Sequence, residues 1–260
     1  MVKKFKISHI VPTVCCLGVI LLAGCGRNSS QPTQTLLNEA LKDASGGRWE
    51  KALDKLEIVS GREPNNAAAL IFKALAYEGC GKDDLAVNTA RLAVRVAPKN
   101  FQTQYTLGRL YSKDQGKMQD AIPPLLRALE LKPDNNDTLV LLARCSSILK
   151  LDSAIRYYNK LAVAKNFRKR AELWNEMGIY YAERQQIRKA AECFVKAYSL
   201  GASKPLIVLN FATFADQYAG DPARALKYYR SYLKITTPSP SFEAQRKRVE
   251  ARIKKIEANG

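Results

Sequence analysis

Two hydrophobic patterns divide the chain. An 18-residue, largely apolar stretch ends at Gly24 and is entered from Lys3, Lys4 and Lys6. From about residue 33 onward the pattern is amphipathic instead, with apolar residues returning every three or four positions on one face of successive segments, the spacing of half-buried helices. These segments repeat. Ala52, Ala86, Ala121, Ala154, Ala190 and Ala225 follow one another in steps of 34, 35, 33, 36 and 35, and Pro64, Pro98 and Pro133 follow the first three at a constant distance of 12. A period this steady, carried by helices that each have one apolar face, predicts stacked helical hairpins rather than one globule.

Packing accounts for the residue types within each unit. Gly108, Gly178, Ala74, Ala143 and Ala212 are small, so the first helix of a unit can approach its own second helix. Trp174, Tyr111, Phe194 and Leu125 are large and fill the gap to the neighbouring unit. The prolines end the second helices, because proline lacks the ladder donor and disfavours a helical residue before it. Polar turns at 112–116 and 220–222 separate the two helices of a unit. Six units result, at 33–66, 67–100, 101–135, 136–170, 171–204 and 205–238. Residues 239–260 form a last helix whose stripe of Phe242, Val249, Ile253 and Ile256 caps the stack, with Glu243 and Lys247, and Glu250 and Lys254, at the favourable i, i+4 order. A rival for that helix, rich in Arg246, Lys247, Arg248, Arg252, Lys254 and Lys255, is a basic amphipathic helix on a membrane surface.

The fifth unit, Trp174-x2-Met177-Gly178-x2-Tyr181 followed by Ala190-x3-Phe194 and Ala197, resembles the tetratricopeptide repeat, with a methionine where leucine is usual. Leu107-Gly108-x2-Tyr111 with Ala121-x3-Leu125 and Ala128 repeats the resemblance. It implies an all-α, right-handed superhelical stack of about six hairpins. It also implies a concave face, lined by the first helices, that binds an extended peptide or a partner's helix. Projected onto this chain, that face carries Tyr105, Arg109, Lys113, Val140, Arg144, Asn175 and Ile179: a basic middle with an aromatic, the arginines supplying the charge. The lysine and asparagine set by which co-chaperone members clamp a terminal carboxylate is not reproduced at these positions. A second basic cluster, Lys165, Arg168, Lys169 and Arg170, stands where the fourth unit would have its terminating proline, and either binds acidic material or loosens the stack.

A basic start, a short apolar core and small residues before a cut site read as an export signal over residues 1–24. The run Leu22-Ala23-Gly24-Cys25 resembles the lipobox of bacterial lipoproteins, which implies cleavage before Cys25 and lipid on it. Each buried methylene of an acyl chain contributes about 0.8 kcal/mol, so two or three chains hold a soluble domain on a bilayer. Residues 25–32 are then a polar tether, reaching on the order of 20–30 Å. Gly26 rather than an acid follows the cysteine, which in a two-membrane host favours the outer membrane, facing the periplasm.

Charge and chemistry narrow the function. The chain carries a net +18, and the leader holds three of its lysines and no acid. Envelope export turns that balance away from nucleic acid and toward anionic lipid, acidic polysaccharide or acidic protein faces. Cys80, Cys145 and Cys193 sit in different units, too far apart to bridge, and read as buried small hydrophobes. The one histidine, His9, is in the leader, removing the commonest base and metal ligand from the mature chain. Gly79-Cys80-Gly81-Lys82 lacks the spacing and the hydroxyl of a phosphate loop and reads as a turn, with Asp83 and Asp84 capping the helix after it. The expectation is a non-catalytic, lipid-anchored scaffold without cofactor or metal, joining proteins in the envelope in the manner of a pilotin or a barrel-assembly lipoprotein. The alternative is a binder of acidic cell-wall or surface polysaccharide.

Overall fold

The computed structural model describes residues 31–237 and 240–258. The expected leader, Cys25 and the tether up to residue 30 lie outside the described residues. Among the described residues there are thirteen α-helices, one 3-10 turn (Gln115–Lys117) and no strand. The helices are α1 (Thr33–Ser45), α2 (Trp49–Arg62), α3 (Ala67–Gly79), α4 (Asp83–Val96), α5 (Phe101–Tyr111), α6 (Met118–Leu131), α7 (Asn136–Ile148), α8 (Ala154–Val163), α9 (Ala171–Glu183), α10 (Ile187–Gly201), α11 (Pro205–Gln217), α12 (Pro222–Ile235) and α13 (Pro240–Ala258). Each odd-numbered helix up to α11 packs along the even-numbered helix after it, and the hairpins so formed stack in chain order. The fold is all-α and superhelical.

Small residues set the spacing inside each hairpin. A Cβ on Gly108 would fall 2.5 Å from Leu125 Cγ, and one on Gly178 would meet the Phe194 ring at 3.0 Å. Between hairpins the joint is a three-residue phrase. Pro64, Pro98 and Pro133 follow the ends of α2, α4 and α6, and two residues on Asn66, Asn100 and Asn135 cap α3, α5 and α7. Their side-chain oxygens accept from the amides of Ala69 (3.0 Å), Gln102 (2.8 Å) and Thr138 (2.8 Å), satisfying donors that a helix start leaves open. Asp83 and Asp84 do not cap: Lys82 holds the cap position, and the two acids fill the first turn of α4, where the helix dipole favours negative charge.

The last helix closes the stack. Val249 and Ile253 are buried against Tyr229, Tyr232, Ala212 and Ala215, with Ile256 packed beside them. The stripe is therefore spent on α11 and α12, and the membrane-surface reading of α13 is set aside. Arg246 folds back to donate to the carbonyls of Leu233 (2.6 Å) and Thr236, closing the C-terminus of α12. Glu243 pairs with Lys247 at 2.7 Å, while Glu250 faces Arg246 rather than Lys254. No helix among the described residues is long and apolar enough to cross a membrane.

Candidate functional site

The odd-numbered helices approach one another, α1 to α3, α3 to α5 and α9 to α11, so they form the inner, concave side. The sequence-derived set lies on α5, α7 and α9, with Lys113 just past the end of α5. Tyr105 stacks on Phe101 with ring centres 5.5 Å apart, and burial raises its phenol pKa. Arg109 is not the free charge expected. Its guanidinium grips Glu78 of α3 with two hydrogen bonds, one of 2.8 Å, and Lys113 adds a third at 2.8 Å. Burial alone would push the Glu78 carboxyl up, but Arg109 and then Lys113 outweigh it and hold its pKa below the ordinary value. This cluster ties the third unit to the second and offsets one of the two cations in the N-terminal half of the basic middle.

Arg144 on α7 differs. It is half-buried, and among the described residues no acid lies within ion-pair distance of it. Its charge reaches Glu176 of α9, whose carboxyl is pushed up by burial and by Glu183, against the opposing pull of Arg144 and a hydrogen bond from Asn175. Asn175 is 2% exposed and accepts from Asn210 Nδ2 at 3.1 Å across the joint between α9 and α11. It stitches units together as well as flooring the groove. Val140 and Ile179 are half-buried, each packed against a core cluster.

Glu176, Asn210 and Glu183 were missed in the sequence, although a signal existed. Asn210 lies 35 residues after Asn175, and Glu176 is its immediate neighbour on a helix whose inner face spans more than one position per turn. An open depression of about 490 Å³ lies at the C-terminal ends of α7, α9 and α11, lined by Lys150, Glu183, Arg184, Gln185 and Tyr218. Arg184 stacks on Tyr180 at 3.8 Å and donates to the Lys150 carbonyl at 2.9 Å, so it serves the wall rather than a ligand.

The arrangement offers hydrogen-bond donors and acceptors along an inner face, with Arg144 a cation that has no acid at ion-pair distance among the described residues. Burial pushes the thiols of Cys145 and Cys193 up to about 11, which leaves them poor nucleophiles. Among the described residues no group of three metal-ligating side chains converges.

A sequence model of the tetratricopeptide repeat matches residues 105–139, across α5, α6 and the start of α7. The fold is that of the tetratricopeptide repeat. Similar solved structures include PilW, a widely conserved type IV pilus biogenesis factor, at 17% identity and TM-score 0.67, covering 83% of this chain and 99% of that one. A tetratricopeptide repeat protein from Parabacteroides merdae is similar at 18% identity and TM-score 0.67, covering 88% and 93%. YrrB, a tetratricopeptide protein with an unusual peptide-binding site, is similar at 21% identity and TM-score 0.61, covering 68% and 90%. At such identities the likeness is one of fold. No curated protein sequence matches this chain.

Proposed function

We propose that this protein is a non-catalytic, lipid-anchored tetratricopeptide scaffold of a bacterial cell envelope, holding an acidic or C-terminal segment of a partner protein in the groove of α7, α9 and α11. The observation that carries this reading is Arg144, a half-buried cation without an acid at ion-pair distance among the described residues, on the first helix before the one that bears Asn175, which pairs with Asn210. Amides that both donate and accept suit the main chain of an extended peptide, and a lone guanidinium suits a carboxylate on it. The lipobox-like Leu22-Ala23-Gly24-Cys25 supports the anchor, and fold likeness to a pilus biogenesis factor fits assembly of an envelope machine.

The test is binding of extended peptides with free or amidated C-termini, read by fluorescence anisotropy on the wild type and on Arg144→Glu and Arg109→Glu. Arg144→Glu should abolish capture of carboxylate-bearing peptides while helicity stays intact. Arg109→Glu should instead lower thermal stability, because it sets a second carboxylate against Glu78. Undiminished binding by Arg144→Glu would remove the groove from the proposal. Collapse of binding between low and moderate salt would favour the acidic-polymer alternative, since counterion release dominates such contacts.

A further inference from the structure

The joint between the fourth and fifth units breaks the rule of the first three. It has neither the proline after the second helix nor the asparagine cap: α8 stops at Val163, and Arg170 holds the cap position of α9 without a side-chain cap. Residues 164–170 fill the gap, and they are pinned rather than loose. Phe167 is buried in the core cluster of the fourth and fifth units. The Ala164 carbonyl accepts from the amides of Phe167 (2.9 Å) and Arg168 (3.0 Å). Trp174 Nε1 donates to the Arg168 carbonyl at 2.9 Å, and the Arg170 guanidinium stacks 4.1 Å from the Phe167 ring centre.

What this elbow presents outward is unusual in composition. Residues 153–171 contain no Asp or Glu, yet Arg156, Lys160, Lys165, Arg168, Lys169 and Arg170 are all exposed. The nearest acids along the chain are occupied, Asp152 by Arg184 and Glu172 by Lys204. Between Lys160 and Lys165 in the chain, at the end of α8, Val163 is 80% exposed, the most of any large apolar side chain among the described residues. The elbow also lies on the edge of the stack where first helices begin and second helices end. At that same edge the chain enters α1, where the Gln31 carbonyl accepts from Arg62 at the end of α2 at 2.6 Å.

We infer that the α8–α9 elbow docks on an anionic phospholipid surface, with its cations on the headgroup phosphates and Val163 in the interfacial layer. Cations in this excess over the nearby acids select a negative partner. The exposed valine in their midst along the chain favours a bilayer over a hydrated polysaccharide, which offers it no apolar layer. The position of Gln31 turns the elbow toward the side from which an N-terminal anchor would hold the chain; that orientation alone rests on the anchor proposed above.

The test is hydrogen–deuterium exchange of the full chain on vesicles of phosphatidylcholine alone or mixed with phosphatidylglycerol. Each cation near an anionic surface is worth about a fivefold gain in local binding, so amides 163–170 should exchange at least about tenfold more slowly on the phosphatidylglycerol vesicles. High salt should erase the difference. The triple variant Lys165→Glu, Arg168→Glu, Lys169→Glu should lose it with unchanged helicity, since none of the three side chains bears on the core. Equal exchange on both vesicle types overturns the inference, as does protection by soluble polygalacturonate with none by vesicles. Failure of the wild type to sediment with phosphatidylcholine vesicles would count against the anchor only, because the elbow is read on the phosphatidylglycerol vesicles.

Discussion

At Gly178 a methyl group has no room, since a Cβ there would press on the Phe194 ring at 3.0 Å and that ring is held by Phe211 and Phe214. Gly178→Leu should therefore cost ~1–3 kcal/mol of overpacking, seen as a lower melting temperature; an unchanged melt would mean the ring yields freely. Glu176 poses the opposite case, a residue whose native form is not the most stable one. Its carboxyl pKa is raised by burial, so between the unfolded and folded values the folded state holds more protons, and stability falls as pH rises through that window. Glu176→Gln should raise the urea midpoint at neutral pH and flatten its dependence in the acid range. The same substitution should tighten binding of acidic peptides by removing the rival for Arg144. Gly178 was legible in the sequence because a repeat motif marks it. The pairing of Arg109 with Glu78 was not: the two lie 31 residues apart, and only the stacking angle of adjacent units decides whether they meet.

At the level of the element, α13 shows how charge and burial divide the labour. Arg252 donates two hydrogen bonds, of 2.7 and 2.6 Å, to Asp216 on α11, and the Tyr229 hydroxyl adds one of 3.0 Å. Arg252 and then Tyr229 lower the Asp216 pKa against the effect of burial. This contribution is present above the ordinary aspartate pKa and is lost as pH falls through the lowered one. The capping helix should loosen in acid, visible as hydrogen exchange in 240–258 that quickens as pH falls through the lowered Asp216 pKa, beyond the intrinsic change in exchange rate. Arg252→Ala should bring the same loosening at neutral pH, at a cost of about 2 kcal/mol, because the Asp216 side chain is only 5% exposed. The stripe of Val249 and Ile253 announced this helix. Its choice of α12 over a membrane surface did not follow from the stripe, since apolar residues at helical spacing serve either, and the partners of Arg246 and Arg252 decided it.

For the whole molecule, the proposed anchor at Cys25 and the proposed groove on α7, α9 and α11 lie on separate parts of the chain. Cys25→Ser should abolish metabolic labelling with a palmitate analogue while the helical stack still folds, because the stack is complete from α1 onward; undiminished labelling of the variant would end the lipoprotein proposal. The sequence alone determined the stack, since a hairpin's contacts lie within one period and the small residues, the large residues and the prolines that enforce them recur every 33–36 positions. It also placed the projected set on α5, α7 and α9, with Lys113 just past α5. Tertiary structure decided which charges on that face are available. Arg109 meets Glu78 and Asn175 meets Asn210 about one period away, on a neighbouring first helix, and whether a cation finds an acid there, as Arg109 does, or has none at ion-pair distance among the described residues, as with Arg144, depends on packing angles that a periodic pattern does not encode.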